Sequence, residues 1–316
     1  MYPNTKILVT GALGQLGAEL TEALALRYGA SQVVATDIRE GDVPEGVTFA
    51  LFNVMDKDRL QHLVSEHNIT EIYHLAAILS ATGEENPILS WNINMEGLLN
   101  VLEVARHAKL NKVYWPSSIA AFGPKTPRVH TPQDTIAEPL TSYGISKRAG
   151  ELWCQYYHQR FGVDVRSLRY PGLIGYKALP GGGTTDYAVD IFHKAVQSQP
   201  FSCYLKPGTA LPMMYMPDAI HATISLMEAP RERITVRTSY NLQGFTFTPA
   251  EIVAAIQQFM PEFQVTYQPD FRQQIAEGWP ESLNDQQAVE DWGWKPQFTL
   301  SSMAKDMLEQ LKVQYA

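Results

Sequence analysis

Tyr143 and Lys147, in the stretch SYGISK, stand four residues apart at the start of a helical pattern over 143–162, and Ser118 closes the strand pattern NKVYWPSS at 111–118. Residues spaced by four share one face of a helix, and the carboxyl end of a strand is where α/β chains bind ligands. A serine, a tyrosine and a lysine brought together can move a proton on a hydroxyl. Free tyrosine titrates near ~10, and lowering it by about three pH units takes roughly 4 kcal/mol. One ammonium at about 4 Å, at an effective dielectric of about 20, supplies about that much. The spacing therefore predicts that Lys147 lowers Tyr143 and that Ser118 holds a substrate hydroxyl against it. Tyr143 then removes the proton while hydride leaves the same carbon. Alone, a tyrosine four residues before a lysine is more often a core-edge ring beside a solvated amine, so its meaning rests on the elements around it.

A hydride needs an acceptor, and the first glycine-rich stretch offers it a seat. GALGQLG places Gly11, Gly14 and Gly17 directly after the strand pattern KILVT (6–10) and before the helical AELTEALALRYG (18–29). Gly11 permits a tight turn, Gly14 lets backbone approach a pyrophosphate, and Gly17 lets helix and strand pack closely. Free N–H groups near Gln15 and Leu16 at the helix start favour negative charge. Asp37 ends the next strand pattern, QVVATD (32–37), twenty residues beyond Gly17. A carboxylate there accepts ribose hydroxyls and repels a 2′-phosphate, which selects NAD over NADP, although Arg39 close by is a feature that serves a phosphate.

Stepping outward, strands and helices alternate: helix 59–67, strand 71–77, helix 94–108, strand 111–118, helix 143–162, strand 164–172. That order predicts an α/β fold with a doubly wound parallel sheet, a Rossmann fold. It assigns residues 1–175 to an NAD-binding domain, completed by parts of 210–242, and 176–316 mainly to a smaller substrate-binding lobe. There a helix over 216–230, a second over 248–260 with Thr248 as cap, Pro249 first and Glu251 three after the cap, and a short strand at 263–267 are expected. A second glycine-rich stretch, PGGGTTDYAVDIF at 180–192, also opens a helical pattern, and two such loops should not both hold one pyrophosphate.

Composition narrows the partners. A formal net charge of −8 disfavours nucleic acid and anionic membrane. Cys154 and Cys203 are the only cysteines and the eight histidines lack ligand spacing, which predicts reduced thiols and no metal. No apolar run approaches a membrane span, and a strand pattern starting by Lys6 leaves no room for a targeting peptide, so a cytoplasmic protein is expected.

The motifs TGALGQLG, Asp37, HLAA (74–77), Asn94, SSIAAFG, YGISK and RYPGLIG (169–175) together resemble the extended short-chain dehydrogenase/reductases of the nucleotide-sugar-epimerase type, over nearly the whole chain. The resemblance implies that Ser118, Tyr143 and Lys147 are catalytic. It implies NAD contacts from Gly11, Gly14, Gln15, Leu16, Gly17, Asp37, Ile38, Leu75, Ala76, Ala77, Asn94, Tyr143, Lys147, Tyr170 and Leu173. Asn53 matches the position that reaches adenine, where the family more often has aspartate. A homodimer through the helices beginning near Asn94 and Tyr143 is also implied.

Departures refine this. Nucleotide-sugar enzymes generally carry asparagine just after the Arg-Tyr segment, where this chain has Gly172, and a later arginine for the diphosphate, where it reads LPMMYMPDA (211–219). With LSATGEENP (79–87), PGGGTTDYAVDIF, PDFRQ (269–273) and DWGW (291–294), the chain resembles the short-chain L-threonine 3-dehydrogenases. The implied reaction is L-threonine plus NAD⁺ giving 2-amino-3-oxobutanoate and NADH. On that footing the hydroxyl goes to Ser118 and Tyr143, and Thr184 and Thr185 supply donors for the carboxylate at a helix start. Asp186 either faces the ammonium or favours the positive helix end, and Ser80 is a further contact or an ordinary loop serine. Two rivals are a nucleotide-sugar epimerase or dehydratase, which would need a diphosphate cradle, and a non-catalytic NAD-sensing protein, which would typically lack the tyrosine or the lysine.

Overall fold

The computed structural model describes residues 5–179, 181 and 183–315, with nothing said of the side chain of Ala81; Met1 to Asn4, Pro180, Gly182 and Ala316 lie outside the described residues. In chain order the regular elements begin β1 (Ile7–Thr10), α1 (Gln15–Tyr28), β2 (Val33–Asp37), β3 (Thr48–Leu51), α2 (Lys57–Glu66), β4 (Glu71–His74), α3 (Ser80–Glu85) and α4 (Pro87–Ala108). They continue with β5 (Lys112–Ser118), α5 (Ser142–Phe161), β6 (Val165–Tyr170), β7 (Gly172–Ile174), α6 (Tyr187–Val196), β8 (Phe201–Cys203), β9 (Leu211–Tyr215) and α7 (Met216–Glu228). The chain closes with β10 (Tyr240–Asn241), β11 (Phe245–Phe247), α8 (Pro249–Gln257), β12 (Val265–Tyr267), α9 (Phe271–Glu277), α10 (Gln286–Trp292) and α11 (Leu300–Gln314).

Two compact units emerge. The first takes Met1–Ala121, Thr141–Arg169 and Ile220–Tyr240. Its sheet has seven strands in the order β10-β6-β5-β4-β1-β2-β3, the doubly wound arrangement expected of strands alternating with helices. β1 pairs in parallel with both β2 and β4, Val9 lying opposite Ala35 on one side and Tyr73 on the other. Ile7, Leu8 and Val9 are fully buried, as a continuous apolar run on a sheet covered on both faces must be. On one face α2 and α4 close over β2, β4 and β5 through Leu60, Leu63, Leu98, Val101 and Leu102. β3 is absent from the sequence reading: Thr48–Leu51 is a short edge strand whose residues are exposed or half-buried, so it shows no apolar run.

The second unit takes Phe122–Leu140, Tyr170–Ala219 and Asn241–Ala316. The expected boundary at 175 differs from this one. The chain leaves the first unit at the carboxyl ends of β5 and β6, and the irregular stretch from Phe122 is tied by backbone hydrogen bonds to the C-terminal part: Glu281 N–H reaches Arg128 O at 2.7 Å and Thr131 N–H reaches Ser282 O at 3.0 Å. Within this unit β7, β9 and β11 form a three-stranded sheet and β8 pairs with β12. α8 starts on the expected capping box between Thr248 and Glu251. α11, which the sequence reading did not assign, is also capped, by Thr299 and Ser302, and buries Met303, Met307 and Leu311. No helix among the described residues is long and apolar enough to cross a membrane.

Candidate active site

In the first unit, Gly11 has φ +70°, a left-handed backbone that glycine adopts without strain. A Cβ there would also sit 2.7 Å from Ala76 N, so Leu75 and Ala76 run directly against the loop, with Ala77 next in the chain. A Cβ at Gly17 would meet Gly11 O at 2.1 Å. At Gly14, by contrast, an added Cβ would meet only Gly11 O, at 3.3 Å. Gly14 is the N-cap of α1 and no side chain caps the helix, so the first amides of α1, at Gln15, Leu16 and Gly17, are left for an anion. Thr10 Oγ1 and His74 Nδ1, 2.8 Å apart, join the tips of β1 and β4 beneath it. Burial, with the Lys147 charge adding to it, lowers His74 to about 3 and keeps it neutral.

Asp37 closes the other end of the cradle. Its Oδ2 accepts Leu13 N–H at 3.1 Å, which ties the tip of β2 to the glycine loop. Arg39 lies alongside, donating to Leu13 O at 3.2 Å with its Nε 3.8 Å from Asp37 Oδ1. Arg39, a cation of the kind that serves a 2′-phosphate, is thus turned onto the loop backbone and Asp37. Ile38, next along, is 70% exposed. Asn53 is exposed, its Oδ1 accepting Met55 N–H at 3.0 Å. Asn94 is buried in α4, where Oδ1 accepts Ile78 N–H at 2.8 Å and Nδ2 donates to Ile78 O at 3.0 Å. Its amide is committed to holding the segment that follows β4. Ser80 is not a loop residue but the first residue of α3, and it is buried.

Ser118 ends β5, and α5 starts just before Tyr143, capped by Thr141, whose hydroxyl accepts Gly144 N–H at 3.0 Å. The Ser118 hydroxyl stands close enough to Tyr143 to favour its phenolate form. Lys147 Nζ lies 5.3 Å from the centre of the Tyr143 ring and 4.7 Å from that of Trp115, and donates to Pro116 O at 2.6 Å. Burial pushes the Tyr143 phenol up to about 12, the Ser118 hydroxyl pulling the other way. Burial also draws Lys147 down to about 7, against the nearby Cys154 and Glu151. Desolvation is the largest cause in both, so in the chain alone the ammonium does not bring the tyrosine toward neutrality.

Beneath this trio lies a group the sequence reading missed. Glu151, one turn after Lys147 and fully buried, takes Ser117 Oγ at 2.7 Å, Arg169 at 2.7 and 2.9 Å, and Arg148 at 3.0 Å. Burial alone would raise its carboxyl, but Arg169, Ser117 and Arg148 more than offset that and hold it below the usual carboxylate range. The network locks α5 onto β5 and β6. The i+4 spacing from Lys147 to Glu151 was its visible signal.

The remaining expected residues belong to the second unit. Tyr170 is buried at the end of β6, and Leu173 lies opposite Met214 where β7 meets β9. Gly172 lies opposite Met213; a Cβ there would come within 2.3 Å of Met213 Sδ and 2.8 Å of the Thr185 side chain. Both side chains therefore occupy space that any larger residue at 172 would take. Thr184 is 1% exposed, and its Oγ1 has no hydrogen-bond partner among the described residues. Asp186 turns back on its own turn, Oδ2 accepting Gly183 N–H at 2.8 Å. β9, with Met213 and Met214, is buried throughout and carries no arginine. Among the described residues no group of three His, Cys, Asp or Glu side chains could hold a metal ion.

Residues 7–242 match the NAD dependent epimerase/dehydratase family. An uncharacterized epimerase/dehydratase of Staphylococcus aureus is 48% identical over 311 residues, covering 97% of each chain. Among solved structures, a GalE-like L-threonine dehydrogenase from Cupriavidus necator in its holo form is 57% identical, with a TM-score of 0.96 over 97% of this chain and 100% of that one. The L-threonine dehydrogenase from Clostridium difficile is 45% identical, with a TM-score of 0.96 over 98% of each chain.

Proposed function

Because the chain belongs to the NAD dependent epimerase/dehydratase family, we propose that it is an NAD-dependent L-threonine 3-dehydrogenase, oxidising the β-hydroxyl of L-threonine to 2-amino-3-oxobutanoate. One arrangement carries the chemistry: Ser118 beside the Tyr143 phenol, with Lys147 on the same helix pinned to Pro116 O. The substrate follows from the similarity to L-threonine dehydrogenases, and the arginine-free, buried β9 supports it against a nucleotide diphosphate.

The residues present fit NAD. The amides of Gln15, Leu16 and Gly17 would take the pyrophosphate, Asp37 the adenosine ribose, and Ile38 with Asn53 the adenine edge. Leu75, Ala76 and Ala77 line the cofactor, Asn94 fixes that segment, and Tyr170 and Leu173 belong to the nicotinamide end. When bound, NAD would supply the hydride acceptor and a positive charge beside Tyr143 and Lys147. Ser118 orients the substrate hydroxyl and Tyr143 receives its proton. Lys147 holds its position from Pro116 and stabilises the phenolate. Thr184 and Thr185 supply donors for the carboxylate, a reading supported by the buried, unpartnered Thr184 hydroxyl. Asp186 serves the turn itself, and Ser80 is a further substrate contact.

A homodimer fits the exposed apolar residues of α4 and α5, among them Ile88, Trp91, Leu152, Trp153 and Tyr156. Light scattering giving the mass of one chain would remove the dimer. A cytoplasmic location rests on the two buried free thiols. The activity is tested by following NADH with purified protein, NAD⁺ and L-threonine; turnover of UDP-galactose with none of L-threonine would replace this function with an epimerase.

A further inference from the structure

Tyr204, just after β8, lies outside every role described above, yet its hydroxyl bridges both ends of the turn that carries Thr184 and Thr185. It accepts Tyr187 N–H at 2.7 Å and donates to Gly183 O at 3.3 Å. Within the turn Asp186 N–H reaches Gly183 O at 3.2 Å and Ala188 N–H reaches Thr185 O at 3.1 Å. Tyr204 is itself clamped. The Arg272 guanidinium lies 3.2 Å from the centre of its ring, and Tyr187 meets it edge-on at 6.1 Å and 87°. Arg272 is oriented in turn by Asp270, with contacts of 2.6 and 3.1 Å, and Asp270 N–H reaches Tyr204 O at 3.3 Å.

A glycine-rich turn has many conformations to lose, and fixing it before a ligand arrives strengthens binding by lowering the ordering cost. We propose that Tyr204, held by Arg272, is a positioning residue that presets the Thr184–Thr185 turn for the substrate carboxylate. It sets affinity for the amino acid and leaves the proton and hydride steps to Ser118, Tyr143 and Lys147. This rests on the L-threonine reading of the same site.

The test is steady-state kinetics on full-length Tyr204→Phe and Arg272→Met, with thermal melting to check folding. Tyr204→Phe keeps the ring and its guanidinium contact but loses both hydrogen bonds of the hydroxyl. The expected result is a rise of about tenfold in the KM for L-threonine, with kcat within about twofold and the NAD KM unchanged. Arg272→Met releases the ring and gives a smaller rise, about threefold, again confined to L-threonine. A merely structural role would lower melting temperature and impair both substrates alike, and that pattern overturns the proposal. So does a wild-type KM for L-threonine in both variants while the parent enzyme is active. If the parent protein does not oxidise L-threonine, the underlying function falls and takes the proposal with it.

Discussion

Lys147 donates from Nζ to the Pro116 carbonyl oxygen across 2.6 Å, and so ties the sixth residue of α5 to the strand that carries Ser118. Proline gives a strand no N–H, but its carbonyl here takes a lysine. The bond holds the amine 5.3 Å from the Tyr143 ring, near enough for its charge to act, while burial makes that charge costly. The pair is therefore tuned by what arrives beside it, and a cationic ring is what the reaction brings.

Tyr143→Phe keeps the ring in its buried place and removes the proton acceptor. Turnover of L-threonine should fall by about a thousandfold, while NAD binding, read by calorimetry, stays within about twofold. Retained turnover would show that another group takes the proton.

Lys147→Met should move the rising limb of the kcat–pH profile to higher pH, because the phenolate loses its cation. The same variant reports on stability. Lys147 sits at about 7 in the folded chain against an ordinary 10.5. Between those values the unfolded chain binds more protons, so this group makes stability rise with pH from about 7 to about 10.5, with its full penalty below that window and none above it. The slope is at most about 1.4 kcal/mol per pH unit. Urea unfolding at pH 7 and pH 9.5 should therefore show a steeper rise in the parent than in Lys147→Met; equal slopes would contradict the buried amine.

Glu151→Ala strands Arg169 beside an empty site and leaves Ser117 without its acceptor. Removing one partner of such a buried group costs about 3–5 kcal/mol, so denaturant midpoints should drop accordingly. A change below about 1 kcal/mol would mean that the network does not lock α5.

Gly172→Asn places atoms where Met213 Sδ and Thr185 already stand, 2.3 and 2.8 Å from a Cβ. Turn and strand must part, and the KM for L-threonine should rise at least tenfold with the NAD KM little changed. An unaltered L-threonine KM would remove this contact from the pocket.

Asp37→Ser should relax the choice of cofactor, raising kcat/KM with NADP relative to NAD by about tenfold or more. If NAD preference persists, Asp37 is not the discriminating group.

Much of this was legible before any coordinates. KILVT followed by three spaced glycines has few meanings, and four-residue spacing put Tyr143 and Lys147 on one face. Thr248, Pro249 and Glu251 announced their helix by capping chemistry that acts within four residues. What stayed hidden depends on contacts distant in sequence. Arg272 lies 68 residues from Tyr204, and nothing local marks either as a clamp. Asp186 reads as an ammonium partner or a helix-end charge, and its bond to Gly183 N–H is not visible in the sequence. The protonation of Tyr143 and Lys147 is set by burial, which spacing does not reveal. α11 was readable, since Met303, Met307 and Leu311 keep helical spacing, but a lone amphipathic helix says little about what it packs on.

The central claim is that Tyr143 takes a hydroxyl proton while the β-carbon of L-threonine gives up hydride. It is tested most directly with L-threonine carrying deuterium on that carbon, by mass spectrometry of the reduced cofactor. The account predicts one deuterium transferred per NADH formed, and none formed by Tyr143→Phe. L-threonine consumed without deuterium in the cofactor, or no consumption while a nucleotide sugar is turned over, would contradict it.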